Sequence, residues 1–297
     1  MPKSKWNLNT IYISERLQES LRPISRCAMT TVVAPMGYGK TTAVEWYLAE
    51  RAGAEAPYIV RISVYSSNLA IFWKSVQDAF ARAGFAFLRE YDCPTDGASG
   101  GLLIDDLCHA LTGEKSCYIF IDDFHLLTDK RAPGFLCALA GRLPPNVHLI
   151  LASRDLFLPA AELVRLGGKV YQIGTAQLRL NHTELAVYTK RCGTALSDEQ
   201  IDTLLYYSEG WFSAVYLNLR MFSEHGVLPD PNSDISSIFT AAMIDPLPEK
   251  QREFLAVMGL ADEFTVEMAQ FVMADAHAEN LLAALTGQNA FVKRLPD

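Results

Sequence analysis

The 297-residue sequence has no surplus of basic side chains: 26 Lys and Arg stand against 34 Asp and Glu, a formal net charge of −8. A surface that itself binds DNA or RNA needs clustered cations to neutralise phosphates, so that role is excluded for this portion of chain. The long apolar run of a membrane-spanning helix, about 18 residues, is also missing. The start, Met1-Pro2-Lys3-Ser4-Lys5-Trp6, has neither an apolar segment nor a small-residue cleavage site after it. The expected compartment is therefore the cytoplasm, with no membrane partner. Cys27, Cys93, Cys108, Cys117, Cys137 and Cys192 contain no C-x-x-C pair, and the six histidines show no H-E-x-x-H spacing. Neither a disulfide framework nor a structural zinc is expected. Cys117, inside an apolar run, reads as a small buried hydrophobe. No repeat with a period of roughly 20 to 50 residues is visible.

What is present is an apolar share of 50%, too high for a disordered chain. Short apolar runs alternate with longer amphipathic stretches in the first half, the pattern of a parallel α/β sheet. Strands are expected at Met29–Val33, Pro57–Ile62, Cys117–Ile121, His148–Ala152 and Lys169–Ile173. Helices are expected at Thr41–Glu50, Leu69–Gly84, Leu102–Leu111 and Pro133–Arg142, and Asp96-Gly97-Ala98-Ser99-Gly100-Gly101 as a flexible loop. Beyond about residue 175 the strand signal stops. Asn181 with Glu184, and Ser197 with Gln200, have the spacing of capping boxes, and a helix is expected over Trp211–Glu224. Residues 226–233 read as a linker. Helical segments then follow at Ile235–Ile244, Glu249–Gly259, Thr265–Met273 and Ala278–Leu285. The expected pieces are an α/β domain over 1–175 with a five-stranded parallel sheet and helices on both faces, a helical domain over 176–232, and a last helical piece over 233–297.

One motif says what the first piece binds. Ala34-Pro35-Met36-Gly37-Tyr38-Gly39-Lys40-Thr41-Thr42 departs from G-x-x-x-x-G-K-[ST] only at Ala34. Gly37 and Gly39 let the backbone turn tightly enough to aim N–H groups at phosphate oxygens. Lys40 offers a charge to the β- and γ-phosphates. Thr41 offers a hydroxyl to Mg²⁺, and the following helix contributes its positive N-terminal end. With Gly near 7% of residues, G-x-G-K-[ST] arises by chance in roughly one chain in a hundred of this length. Here an apolar run precedes the loop and an amphipathic stretch follows it, as phosphate binding requires.

Two further apolar runs end in charge. Cys117–Ile121 leads into Asp122-Asp123: Asp122 is placed to hold Mg²⁺, and Asp123 to orient or deprotonate an attacking water. His125, just beyond, reads as a structural hydrogen-bond donor. Leu149–Ser153 leads into Arg154, which can sense or stabilise a γ-phosphate or simply pair with Asp155. All three groups belong at strand C-termini, where open α/β sheets bind ligands.

With these residues together, the chain resembles the STAND class of P-loop NTPases, and within it the MalT-like, ATP-dependent LuxR-family transcriptional regulators. The resemblance rests on the loop 34–42, on Ile121-Asp122-Asp123-Phe124-His125, on Ala152-Ser153-Arg154-Asp155, on Phe72-Trp73 and on Glu209-Gly210-Trp211. It implies an AAA+/STAND-like nucleotide domain, a helical domain and a winged-helix domain that the chain leaves incomplete at Phe291–Asp297. It implies ATP/ADP and Mg²⁺ as cofactors, a closed ADP-bound resting state, and self-association in the ATP state. An inducer would act through a C-terminal sensor beyond this chain, and DNA would be read by a C-terminal helix-turn-helix also beyond it. Trp211 would contact nucleotide from the helical domain, although Phe212 stands where many members carry Pro. The expected activity is a slow ATPase serving as a switch. The alternatives are a P-loop ATPase or kinase with ordinary turnover, and a scaffold with a decayed nucleotide site.

Overall fold

The five apolar runs form five strands: β1 (Met29–Val33), β2 (Tyr58–Ser63), β3 (Cys117–Asp122), β4 (Val147–Ser153) and β5 (Val170–Ile173). The structure, a computed structural model, describes residues 7, 8, 10–226, 228, 240, 244, 245, 247–261, 263–275, 277–288 and 292. Every strand pair is parallel, in the order β2-β3-β4-β1-β5. Each of β3 and β4 is buried along its whole length, whereas β2 and β5 at the edges include exposed positions. That is why β3 and β4 read as largely apolar runs: both of their faces are covered.

Helices occupy both faces. On one, α1 (Glu15–Leu21) and α2 (Lys40–Glu55) pack Leu17, Leu21, Val44 and Leu48 against Tyr118, Phe120 and Ile150. On the other, α3 (Leu69–Arg82), α4 (Gly97–Leu111) and α5 (Arg131–Arg142) cover Ile62, Ile119, Ile121 and Leu149. Helix α1 was not among the expected elements. The expected loop at 96–101 is also corrected: apart from Asp96 it is the first turn of α4. Asp96 caps that helix, accepting from the Ser99 N–H at 2.8 Å, while its own N–H donates to Ser99 Oγ at 3.3 Å. Leu103, Ile104, Leu107 and Leu111 then bury at helical spacing. Capping and burial together outweigh the poor helix propensity of three glycines.

Helix α6 (Ala160–Leu166) lies between β4 and β5; beyond the sheet come the single turn α7 (Thr175–Leu178), α8 (His182–Arg191) and α9 (Asp198–Ser208). Both expected capping boxes are formed, at Asn181/Glu184 and Ser197/Gln200. Arg16 of α1 holds this helical part to the sheet domain. Its guanidinium bridges both carboxylate oxygens of Glu184 at 2.9 Å and donates to the carbonyls of Ala176 and Arg179. Burial pushes the Glu184 carboxyl up, but hydrogen bonds from Arg16, Ser14 and the Asn181 N–H outweigh it and hold the group below its usual range.

The chain divides into two compact units, Asn9–Ser213 and Met1–Leu8 with Ala214–Asp297. Helix α10 (Phe212–His225) begins at the end of the first. The second contains α11 (Glu249–Met258), α12 (Val266–Met273) and α13 (Ala278–Gln288), which bury Phe254, Met258, Ala269, Ala278 and Leu285 together. Residues 1–6 lie outside the described residues. So do the expected linker 226–233 except 226 and 228, the expected helix Ile235–Ile244 except 240 and 244, and Phe291–Asp297 except 292. Cys117 is buried as expected, and burial pushes its thiol up to about 12. Among the described residues no helix is long and apolar enough to cross a membrane.

Candidate functional site

The three charged motifs fall on three neighbouring strands. Because β1 lies beside β4 and β4 beside β3, the loop after β1, the acidic pair ending β3 and Arg154 after β4 share one edge of the sheet. That edge is the C-terminal one, as the parallel arrangement requires.

Gly37 and Gly39 both have positive φ, 79° and 75°, in the left-handed region that glycine enters without strain. Gly39 is the residue from which α2 starts. No side chain caps that start, and its first turn holds no acidic residue. A helix of 16 residues thus presents its first N–H groups without a protein acceptor from a capping side chain. Lys40 is 9% exposed, and its Nζ turns back to the carbonyls of Ala34 at 2.7 Å and Pro35 at 3.0 Å. Burial pushes the ammonium below its ordinary value. Asp123 opposes that, Arg154 reinforces it, and Asp122 opposes it.

Thr41 and Asp122 are in contact, the hydroxyl donating to Oδ2 at 2.9 Å, while Oδ1 accepts from the Asp123 N–H at 2.9 Å. Asp122 is buried, and Asp123 is half-buried with a φ of 55°. Only a special backbone places successive carboxylates this way, because ordinary extended residues alternate faces. Arg154 is exposed. The Asp155 backbone engages Ser153 instead, its N–H donating to Oγ at 3.3 Å and its carbonyl accepting from the same hydroxyl at 2.9 Å. His125 departs from the reading of a structural donor, since both ring nitrogens are buried with no hydrogen-bond partner. Burial pushes it down, Arg154 and Lys40 reinforce that, and Asp123 and Asp155 oppose it.

Trp211 reaches the loop from the turn before α10. Its indole Nε1 donates to the Met36 carbonyl at 2.9 Å, and its ring stacks on Tyr38 with centroids 6.3 Å apart. Ser213 adds two contacts that no sequence pattern indicated. Its N–H and its hydroxyl both donate to the Gly37 carbonyl, at 3.1 and 3.2 Å. The approach is close enough that a Cβ on Gly37 would stand 2.2 Å from Ser213 Oγ. Gly210 is equally constrained: its φ is 74°, and a Cβ there would stand 2.1 Å from the Leu180 carbonyl oxygen. The phosphate-type loop is therefore held by the helical part through its own backbone carbonyls. Pro35 sits in the same β1–α2 connection, and Thr42 in the first turn of α2.

The residues present fit a nucleotide polyphosphate: an uncapped helix start, two left-handed glycines and a buried lysine paired only with carbonyls converge beside a hydroxyl and a carboxylate. Thr41 and Asp122 are the pair that would hold Mg²⁺.

Comparison with known proteins agrees in outline. Residues 240–297 match the family described as the MalT winged helix domain. Across 97% of its length the chain is 22% identical to the HTH-type transcriptional regulator MalT of Yersinia pestis (strain Pestoides F), covering 33% of that protein. Across 96% it is 21% identical to the HTH-type transcriptional regulator MalT of Vibrio campbellii (strain ATCC BAA-1116), covering 32%. The chain spans about a third of the length of the curated relatives it matches. A Walker-type ATPase of Pyrococcus abyssi shares the fold, with a TM-score of 0.50 at 12% identity over 88% of this chain and 77% of the other. The chain thus has an α/β domain with a five-stranded parallel sheet, followed by helical and winged-helix regions, and is similar to MalT-type regulators.

Proposed function

We propose that this chain is the ATP/ADP-binding switch of a STAND-class transcriptional activator, with slow hydrolysis and with domains near 1–175, 176–232 and 233–297. The observation that carries the reading is the shared sheet edge, where Lys40, Thr41, Asp122, Asp123 and Arg154 lie at or beyond the C-terminal ends of three adjacent strands. Pro35, Met36, Gly37, Tyr38, Gly39, Lys40, Thr41 and Thr42 would hold the phosphates, with Trp211 at the rim. Bound nucleotide supplies a transferable γ-phosphoryl group and, with Mg²⁺, a charge that differs between its two states. Asp123 orients or deprotonates water, and Arg154 offsets negative charge at the same edge.

The grip of Trp211 and Ser213 on the loop favours a switch over an enzyme built for turnover. Two states of the loop would differ in how Met36 and Gly37 present their carbonyls, so each state has its own fit to the helical part. Self-association, an inducer acting on a C-terminal sensor and DNA binding through a C-terminal helix-turn-helix belong to this reading as properties of a longer protein. Freshly purified protein, once denatured, is expected to release ADP in near-stoichiometric amount by chromatography. Sub-stoichiometric nucleotide, with no thermal shift on adding Mg-ADP, would sink the proposal.

A further inference from the structure

On the face of the sheet opposite α2, a cavity of about 410 Å³ lies among α3, α4, α5 and strands β2, β3 and β4. It opens to solvent at its rim and is larger than the voids of a densely packed interior. Its walls are almost entirely carbon, with the rings of Phe72, Trp73, Phe80 and Phe135 among them. The charged side chains at its lining are already committed, Asp96 accepting from the Ser99 N–H at 2.8 Å and the Ser99 hydroxyl at 2.9 Å. Trp73 Nε1 donates to the Tyr91 carbonyl at 3.0 Å, Arg131 pairs with Asp129 at 2.7 Å, and Arg142 pairs with Asp105 at 2.8 Å.

The helices themselves leave the space open. Gly97 and Gly101 of α4 and Gly134 of α5 line the cavity, and a Cβ built at each meets nothing within 4 Å. Alanine would fit at each of these positions, and it is the better helix former.

We propose that this cavity binds a neutral, largely aromatic small molecule, a site separate from the phosphate loop and independent of the nucleotide reading. An apolar cavity of about 150 Å³ accommodates benzene, so this one takes on the order of fifteen carbon atoms, two or three rings. The absence of an uncommitted charge among the lining groups named above selects against an ionised ligand, which would be desolvated without a partner. Ile121 in the wall is the residue before Asp122, so an occupant sits against the strand that carries the acidic pair.

The test uses the whole chain and N-phenyl-1-naphthylamine, an uncharged three-ring arene that brightens in apolar surroundings. Saturable one-to-one binding is expected, with energy transfer from tryptophan that falls sharply in Trp73→Phe. Gly101→Leu and Gly134→Leu, which add bulk at two lining positions on different helices, are each expected to weaken dye binding at least tenfold. Their circular dichroism and Mg-ADP thermal shift should stay as in the parent. The proposal is overturned if the parent shows no saturable binding or if the folded leucine variants bind as the parent does. It is also overturned if Trp73→Phe transfers energy as efficiently as the parent. Should one leucine variant fail to fold, the other and the Trp73 readout decide.

Discussion

Lys40 is held nine-tenths out of solvent by the loop that it closes, its ammonium resting on two backbone carbonyls. A buried cation satisfied by neutral acceptors gains more from an anion than an exposed one does, because less water competes. Lys40→Ala is accordingly expected to weaken Mg-ADP binding by about 1.5–3 kcal/mol, roughly ten- to a hundredfold by calorimetric titration. His148 shows the same burial with the opposite outcome for charge. Its Nδ1 lies 2.9 Å from the Cys27 carbonyl and its ring stacks on Tyr118. Burial pushes it below the ordinary 6.5, the Cys27 contact only partly opposing this. Between 6.5 and its lower folded value the unfolded chain binds more protons than the folded one, so stability falls as pH falls through that window. His148→Gln keeps a donor for Cys27, and its Tm should decline less steeply than the parent's between pH 6.5 and 5. At this scale the placement of the loop, of Asp122-Asp123 and of Arg154 at one sheet edge was legible, because each residue type has few reasons to end an apolar strand. Ser213 was not, since a serine following Gly210-Trp211-Phe212 gains its meaning only from the Gly37 carbonyl, 176 positions away.

Elements were legible where burial dictates composition. The doubly covered strands β3 and β4 are apolar along most of their length, so their runs stand out and their limits move by a residue at most. Helices defined by composition alone were harder. Glycine-rich residues 97–101 become helix through the Asp96 cap and the buried stripe beyond it, and short α1 draws its stability from the sheet it covers. The turn Glu209-Gly210-Trp211 is the element on which the grip on the loop depends. Gly210→Ala adds a methyl group against the Leu180 carbonyl and forces a left-handed alanine. The expected loss is about 2–4 kcal/mol by chemical denaturation, well beyond an ordinary glycine-to-alanine change.

For the molecule as a whole, the Arg16 guanidinium ties α1 to the helical part across 168 positions. Arg16→Ala leaves the Glu184 carboxylate, 8% exposed, without its charged partner. Because Arg16 is itself 39% exposed, the expected cost is moderate, about 1–2 kcal/mol, seen as a Tm lower by about 2–8 °C. The strand order has a consequence for how the protein is made. Met29 of β1 pairs with Leu149 of β4, whereas Tyr58 of β2 pairs with Cys117 of β3. On a ribosome adding about 5–20 residues per second, β1 emerges and then waits roughly 6–24 s for the neighbour it pairs with. During that interval β2 and β3 can already join, while the segment bearing the phosphate loop remains an unpaired apolar strand. The nascent chain therefore acquires its nucleotide loop early and its nucleotide site late. The stretch between those two moments is when a chaperone has most of this protein to protect.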